Sequence, residues 1–112
     1  MKLNELQRRL RQFCAERDWK RFHSPKNLAM ALSVEVAELV EHFQWLTESE
    51  SRSLNSTRLT EVATEIADVQ IYLAMLADEL GIDVDAAVNA KLDSNAVKYP
   101  VEPKRTKAAV KK

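Results

Sequence analysis

Apolar residues recur along this chain at the three-to-four spacing of amphipathic helices, and no stretch shows the alternation of a half-buried strand. Leu3, Leu6, Leu10, Phe13 and Cys14 predict a first helix over about Asn4 to Arg17, with Asn4 and Gln7 in capping-box register. A short aromatic and basic connection, Asp18 to His23, leads to Ser24-Pro25. That pair is a cap followed by proline at the first helical position, and it predicts a second helix running to Trp45 or Leu46. The polar stretch 47–56 reads as a loop. A third helix spans about Thr57 to Leu80 and stops at Gly81, the residue favoured just past a helix end. Asp83 caps a fourth, from about Val84 to Lys98, which Pro100 terminates. The expected fold is all-α, an antiparallel four-helix bundle. Its two long helices, each about 22 residues and roughly 33 Å, outrun what one small chain can cover, so assembly into a helical oligomer is expected.

The pattern breaks at particular carboxylates. On a helical wheel Leu28, Leu32, Leu39 and Leu46 form one stripe, and Glu35 falls inside it with Glu38 and His42 beside it. A carboxylate buried without a partner costs several kcal/mol, so it becomes neutral, finds a cation, or is not buried. The third helix repeats the anomaly. Glu61, Glu65, Asp68 and Tyr72 run down one edge of the apolar arc made by Val62, Ile66, Val69, Leu73, Leu76 and Leu80. If the two helices pack antiparallel, Glu35, Glu38, Glu65 and Asp68 converge. Clustered hard oxygen donors suit Mg²⁺, with Mn²⁺ as a substitute, and such a site leaves positions open for a phosphate ester. The plainer reading is two solvated acidic faces, with Glu61 stabilising a helix start.

The fourth helix carries Lys91, Asn95 and Tyr99 at four-residue spacing, with Lys98 beside them. Such a row either binds phosphate oxygens or lays a lysine stem over apolar surface. Trp19 and Trp45 either stack on a nucleobase or pack in a core or interface. His42 is expected to pair with Glu38, one turn before it, and His23 and Cys14 to be structural.

Composition narrows the choices. The chain has 112 residues and formal net charge zero, with 46% apolar and 30% charged residues, an ordinary globular mix for one domain. A single glycine excludes a glycine-rich phosphate loop, so side chains or metal ions must handle any phosphate. A single cysteine excludes an internal disulfide and a cysteine-rich zinc site. Charge is segregated: +5 over residues 1–34, −10 over 35–97 and +5 over 98–112. An acidic middle suits a cation site or contacts between chains and not a nucleic-acid stripe. With no signal-type or membrane-spanning apolar run, the chain is expected in the cytoplasm. Residues 1–100 are expected to form the helical domain and 101–112 a basic, mobile tail.

Several stretches carry a resemblance: Ala15-Glu16-Arg17-Asp18-Trp19, Phe22-His23, Pro25-Lys26-Asn27-Leu28, Glu35-Val36-Ala37-Glu38-Leu39, Phe43-Gln44-Trp45, Glu65-Ile66-Ala67-Asp68-Val69, and Lys91 through Asn95 to Tyr99-Pro100. In this order, over about residues 13–100, the chain resembles the MazG-like all-α nucleoside triphosphate pyrophosphohydrolases, most closely their dCTP pyrophosphatase branch. The resemblance implies Mg²⁺-dependent hydrolysis of a (deoxy)nucleoside triphosphate, dCTP-like, to a monophosphate and pyrophosphate. It also implies a homotetramer built as a dimer of dimers. By motif, Glu35, Glu38, Glu65 and Asp68 would be metal ligands and carry the catalysis. Tyr72, Lys91, Asn95 and Tyr99 would hold phosphate and sugar, and Trp19 and Trp45 would line the base pocket, in part from a neighbouring chain. Two positions depart from the pattern. Val34 stands where many members have a further Glu, a departure that fits the dCTP branch, and Leu10 stands where that branch tends to have a His, about nine residues before the first Trp.

Two other classes compete. A di-iron carboxylate bundle needs Glu-x-x-His pairs, and neither histidine lies three residues after a glutamate. The alternative that stays open is a non-enzymatic helical interaction module, using the basic tail on nucleic acid.

Overall fold

The computed structural model describes residues 1–102, and every regular element among them is helical. The order is α1 (Leu3–Glu16), a 3₁₀ turn (Lys20–Phe22), α2 (Pro25–Glu41), a one-turn α3 (Glu48–Ser51), α4 (Ser56–Leu80) and α5 (Val84–Lys98). The chain divides into two compact units, Met1–Ile82 and a second that begins at Asp83. The basic tail expected over 101–112 lies, from residue 103 on, outside the described residues. No described helix is long and apolar enough to cross a membrane.

Within the first unit α2 and α4 pack side by side and antiparallel. Glu35 faces Asp68, Glu38 faces Glu65, and His42 faces Glu61, so numbers rise on one helix as they fall on the other. α1 packs on α4. The Gln7 side chain donates to the Ala74 carbonyl at 3.0 Å, and Arg11 pairs with Asp78 at 2.7 Å one turn further. Lys20 pairs with Glu79 at 2.9 Å and ties the connection after α1 to the same helix. The core is small: Cys14, Leu28, Val62, Ala74 and Ala77, with Leu28 only 1% exposed.

The stops and starts have local causes. Ser24 accepts from the Asn27 amide with Pro25 at the first helical position. Asn55 accepts from the Arg58 amide, and Asp83 from the Ala86 amide. Each satisfies a helix-start donor that would otherwise lack a partner. Gly81 ends α4 at φ +65°, in the left-handed region where only glycine avoids a steric cost.

Three sequence expectations are corrected. The Asn4–Gln7 capping box does not form: α1 begins at Leu3 without a side-chain cap, and Gln7 spends its amide on Ala74. α2 stops at Glu41, four to five residues early. Arg58 donates to the His42 carbonyl at 3.0 Å, and the chain turns through Phe43 to Leu46 although its apolar pattern continues. The loop expected at 47–56 holds a helical turn closed by a full capping box, Thr47 with Glu50.

Candidate metal centre

The α2–α4 seam places Glu35, Glu38 and Glu65 so that one carboxylate oxygen from each lies within 4.8 Å of the others. Three-residue spacing on α2 puts Glu35 and Glu38 on one face, and the antiparallel partner brings Glu65 opposite them. Asp68, one turn after Glu65, stands beside Glu35. Burial pushes the Glu35 carboxyl above its ordinary range. The charges of Glu38, Asp68 and Glu65 push it the same way, as does a proton shared with Asp68. Glu65 is raised by burial, by the charge of Glu38 and by a proton shared with it, against a smaller opposing effect of His42.

One atom of Glu65, Oε1, is buried and has no hydrogen-bond partner among the described residues. An inaccessible oxygen without a donor is unfavourable, more so when charged. Clustered carboxylates with an orphaned oxygen are what a hard divalent cation would satisfy. The donor set fits Mg²⁺ or Mn²⁺ and contains no thiolate or imidazole that a softer metal would favour.

A cavity of about 150 Å³ opens beside Asp68. Trp19, Phe13, Leu10, Ile71 and Met75 form its apolar wall, and Tyr72 stands next to Asp68 on the rim. Trp19 meets Phe13 edge-on, with ring centroids 5.6 Å apart. The backbone prepares this contact. Asp18 takes φ +55°, a left-handed turn that Asp tolerates better than most residues, and the Trp19 amide donates back to the Cys14 carbonyl. A second cavity of about 240 Å³ continues along α1 towards the Arg11–Asp78 and Lys20–Glu79 pairs.

The other expected site residues are placed as follows. Trp45 is 85% exposed on the turn after α2 and lines neither cavity. Lys91 and Tyr99 are exposed and Asn95 half-buried on α5, in the second unit, with Lys98 over the Tyr99 ring. His42 pairs across the seam, its Nδ1 4.0 Å from Glu61, and not with Glu38 on its own helix. Spacing along one helix cannot see a partner on another.

A sequence profile of the MazG-like family matches residues 30–109. The chain belongs to that family. It is 40% identical over 108 residues to dCTP pyrophosphatase 1 of Rattus norvegicus, covering 95% of this chain and 64% of that protein. It is also 40% identical over 106 residues to dCTP pyrophosphatase 1 of Homo sapiens, covering 93% and 62%. This MazG-like chain therefore spans less than two-thirds of the length of these curated relatives. A crystal structure of a pyrophosphatase from Archaeoglobus fulgidus superposes with a TM-score of 0.82 at 45% identity, over 88% of this chain and 92% of that one.

Sequence reasoning misses much of the cavity in this MazG-like chain. Phe13 reads as an ordinary core position of the first helix, and Leu10 stands out only as the position where the dCTP branch has a His, yet both wall the space beside Asp68. His23 lines both cavities, and nothing in its spacing marks it, because it sits in an irregular connection. Cys14 is structural as expected: burial raises its thiol, which lies 3.9 Å from the Met75 sulfur.

Proposed function

We propose that this chain is a Mg²⁺-dependent nucleoside triphosphate pyrophosphohydrolase, with Mn²⁺ as a substitute, acting on a dCTP-like (deoxy)nucleoside triphosphate. The observation that carries the proposal is the convergence of Glu35, Glu38 and Glu65 within 4.8 Å, next to an aromatic-walled cavity. The names of its relatives support the substrate class.

Glu35, Glu38 and Glu65, with Asp68 beside them, would hold the cation. A divalent cation there supplies positive charge against the triphosphate and against the charge that develops during phosphoryl transfer. The carboxylates also serve as proton acceptors. A water oxygen bonds to the α-phosphorus, the bond from that phosphorus to the α–β bridging oxygen breaks, and pyrophosphate leaves. The water proton passes to one of the four carboxylates or to a water that one of them holds. Trp19 and the apolar wall take the base and keep bulk water from that end. In the first unit Tyr72 is the residue assigned to phosphate or sugar, and in the second unit, taken by itself, Lys91, Asn95 and Tyr99 carry that assignment.

Assembly belongs to the same reading. Leu59, Ile66, Leu73 and Leu80 recur every seven residues on α4, and each is 44–54% exposed. Such a stripe is the seam of a helix-to-helix association. We place the chain as an antiparallel four-helix bundle protomer within a homotetramer, a dimer of dimers. Exposed Trp45 then reaches the base pocket of a neighbouring protomer. The location is the cytoplasm, where nucleotide pools are held.

Purified protein with Mg²⁺ is expected to convert dCTP or a related triphosphate to monophosphate and pyrophosphate in equal amounts. Orthophosphate as the first product, or no turnover across natural and modified triphosphates, would refute the assignment.

A further inference from the structure

The two cavities share four lining side chains: Leu10, Cys14, His23 and Met75. They therefore form one groove, running from Asp68 along α1. Leu10 and Met75 are apolar, and Cys14 spends its thiol on Met75. The groove's charged groups at the far end, Arg11, Asp78, Lys20 and Glu79, are consumed in ion pairs, and Gln7 is consumed on Ala74. Asp68 and Tyr72 stand on the rim at the carboxylate cluster and the Trp19 indole can only donate, so within the groove itself the His23 imidazole is the side chain that can both donate and accept. It is half-buried, its centroid lies 6.4 Å from the Trp19 ring, and its ring nitrogens make no hydrogen bond or ion pair among the described residues.

The connection holds that ring in place. The His23 amide donates to the Lys20 carbonyl, the Asn27 side chain donates to the Phe22 carbonyl, and Lys20 is anchored to Glu79. Ser24 starts α2 immediately afterwards. A side chain carried on a fixed backbone loses less freedom when it binds.

We infer that His23 reads the hydrogen-bonding edge of the nucleobase in this groove. The inference rests on the proposed hydrolase activity and adds a specificity-determining residue to it. Trp19 and the aliphatic wall bind any flat heteroaromatic ring, because every base has a face to stack. Discrimination needs a polar group aimed at the ring edge, and a neutral imidazole offers one donor and one acceptor nitrogen. A base that leaves such a group unpaired in an apolar groove is rejected far more strongly than one that merely fits badly.

The test is kcat/KM for dCTP, dTTP, dATP and dGTP with Mg²⁺, in the wild type, His23→Ala and His23→Gln. The ratio between the best and worst base is expected to narrow by about tenfold or more in His23→Ala, carried mainly by KM. The same narrowing is expected in equilibrium dialysis of the four deoxynucleoside monophosphates. In His23→Gln, which keeps a donor and an acceptor at altered reach, the order of bases is expected to change. An equal fall for all four bases, or no change, overturns the role. If His23→Ala fails to fold, an unchanged base order in His23→Gln overturns it. A wild type that hydrolyses none of the four, yet prefers one monophosphate in a His23-dependent way, overturns the hydrolase reading while base reading stands.

Discussion

Glu35→Gln separates a cation site from an ordinary acidic surface. Glutamine keeps the size of the side chain and removes its charge. At the 4.8 Å limit seen here, two carboxylates repel by about 0.9 kcal/mol in a water-like dielectric and by about 3.5 kcal/mol at an effective dielectric of 20. Glu35 is half-buried on an open seam, so solvent screening keeps its repulsion with Glu38 near the lower figure, about 1–2 kcal/mol. For a chain of this size each kcal/mol is worth roughly 4–8 °C in melting temperature. In chelator at neutral pH, Glu35→Gln is therefore expected to melt on the order of 5–10 °C above the wild type. The sign of the pH dependence follows from the raised carboxyls of Glu35 and Glu65. A carboxyl raised in the folded state is tolerated while neutral. The contribution of these two groups to metal-free stability is therefore fully present below the ordinary value of 4.5 and is lost as pH rises from there through their raised folded-state values. Mg²⁺ is expected to restore the loss in the wild type by binding only the folded form, and to do little for Glu35→Gln. Thermal melts in chelator and in Mg²⁺, from acid to neutral pH, make the comparison. A metal-free Glu35→Gln that melts lower than the wild type, or that keeps the full Mg²⁺ response, refutes the idea of mutually repelling cation ligands.

Other perturbations address the scaffold and the groove. Leu28→Ala removes the side chain with 1% exposure at the start of α2, and urea titration is expected to show a loss of about 2–5 kcal/mol. Gly81→Ala meets no atom within 4 Å at its new Cβ, so only backbone strain acts. Denaturant melts should show a cost of about 1–2 kcal/mol with turnover per folded molecule unchanged. Trp19→Ala removes a stacking face worth about 1–3 kcal/mol per base, so KM for the triphosphate should rise roughly tenfold or more while kcat falls less. Ile66→Lys places a charge on the exposed heptad stripe of α4, and sedimentation should show a smaller species than the proposed homo-oligomer of the wild type.

What is legible in the sequence follows from regular periodicity and local caps. α4 and its Gly81 stop, the Ser24-Pro25 start and the Asp83 start are all predictable because each depends on residues within a few positions. The end of α2 is not: the apolar pattern continues to Leu46, while Arg58, sixteen residues on, takes the His42 carbonyl. The turn at Thr47–Glu50 is hidden because a capped four-residue helix and a polar loop have the same composition. At the site, Glu35 is conspicuous because it violates a leucine stripe, and its neighbours follow from helical spacing. His23 and the Glu61 partner of His42 are hidden because an irregular connection and a cross-helix pair have no period.

The contrast has a physical root in where the carboxylates sit. A cluster built on loops leaves no pattern in a sequence, whereas this one occupies two regular helices whose other faces must still build a core. Each acidic residue in the α2–α4 seam displaces an apolar one and adds repulsion, and only five apolar side chains are buried among the described residues. On the proposed function a bound divalent cation would offset that repulsion, and the unpartnered Glu65 oxygen would be one of its donors. Cation binding and helix pairing are then one equilibrium: whatever occupies the seam also tightens α2 against α4. The aromatic groove is tied to that pair through Asp68 and Tyr72 on α4, so on the proposed function the same tightening would also set the wall against which a base is held.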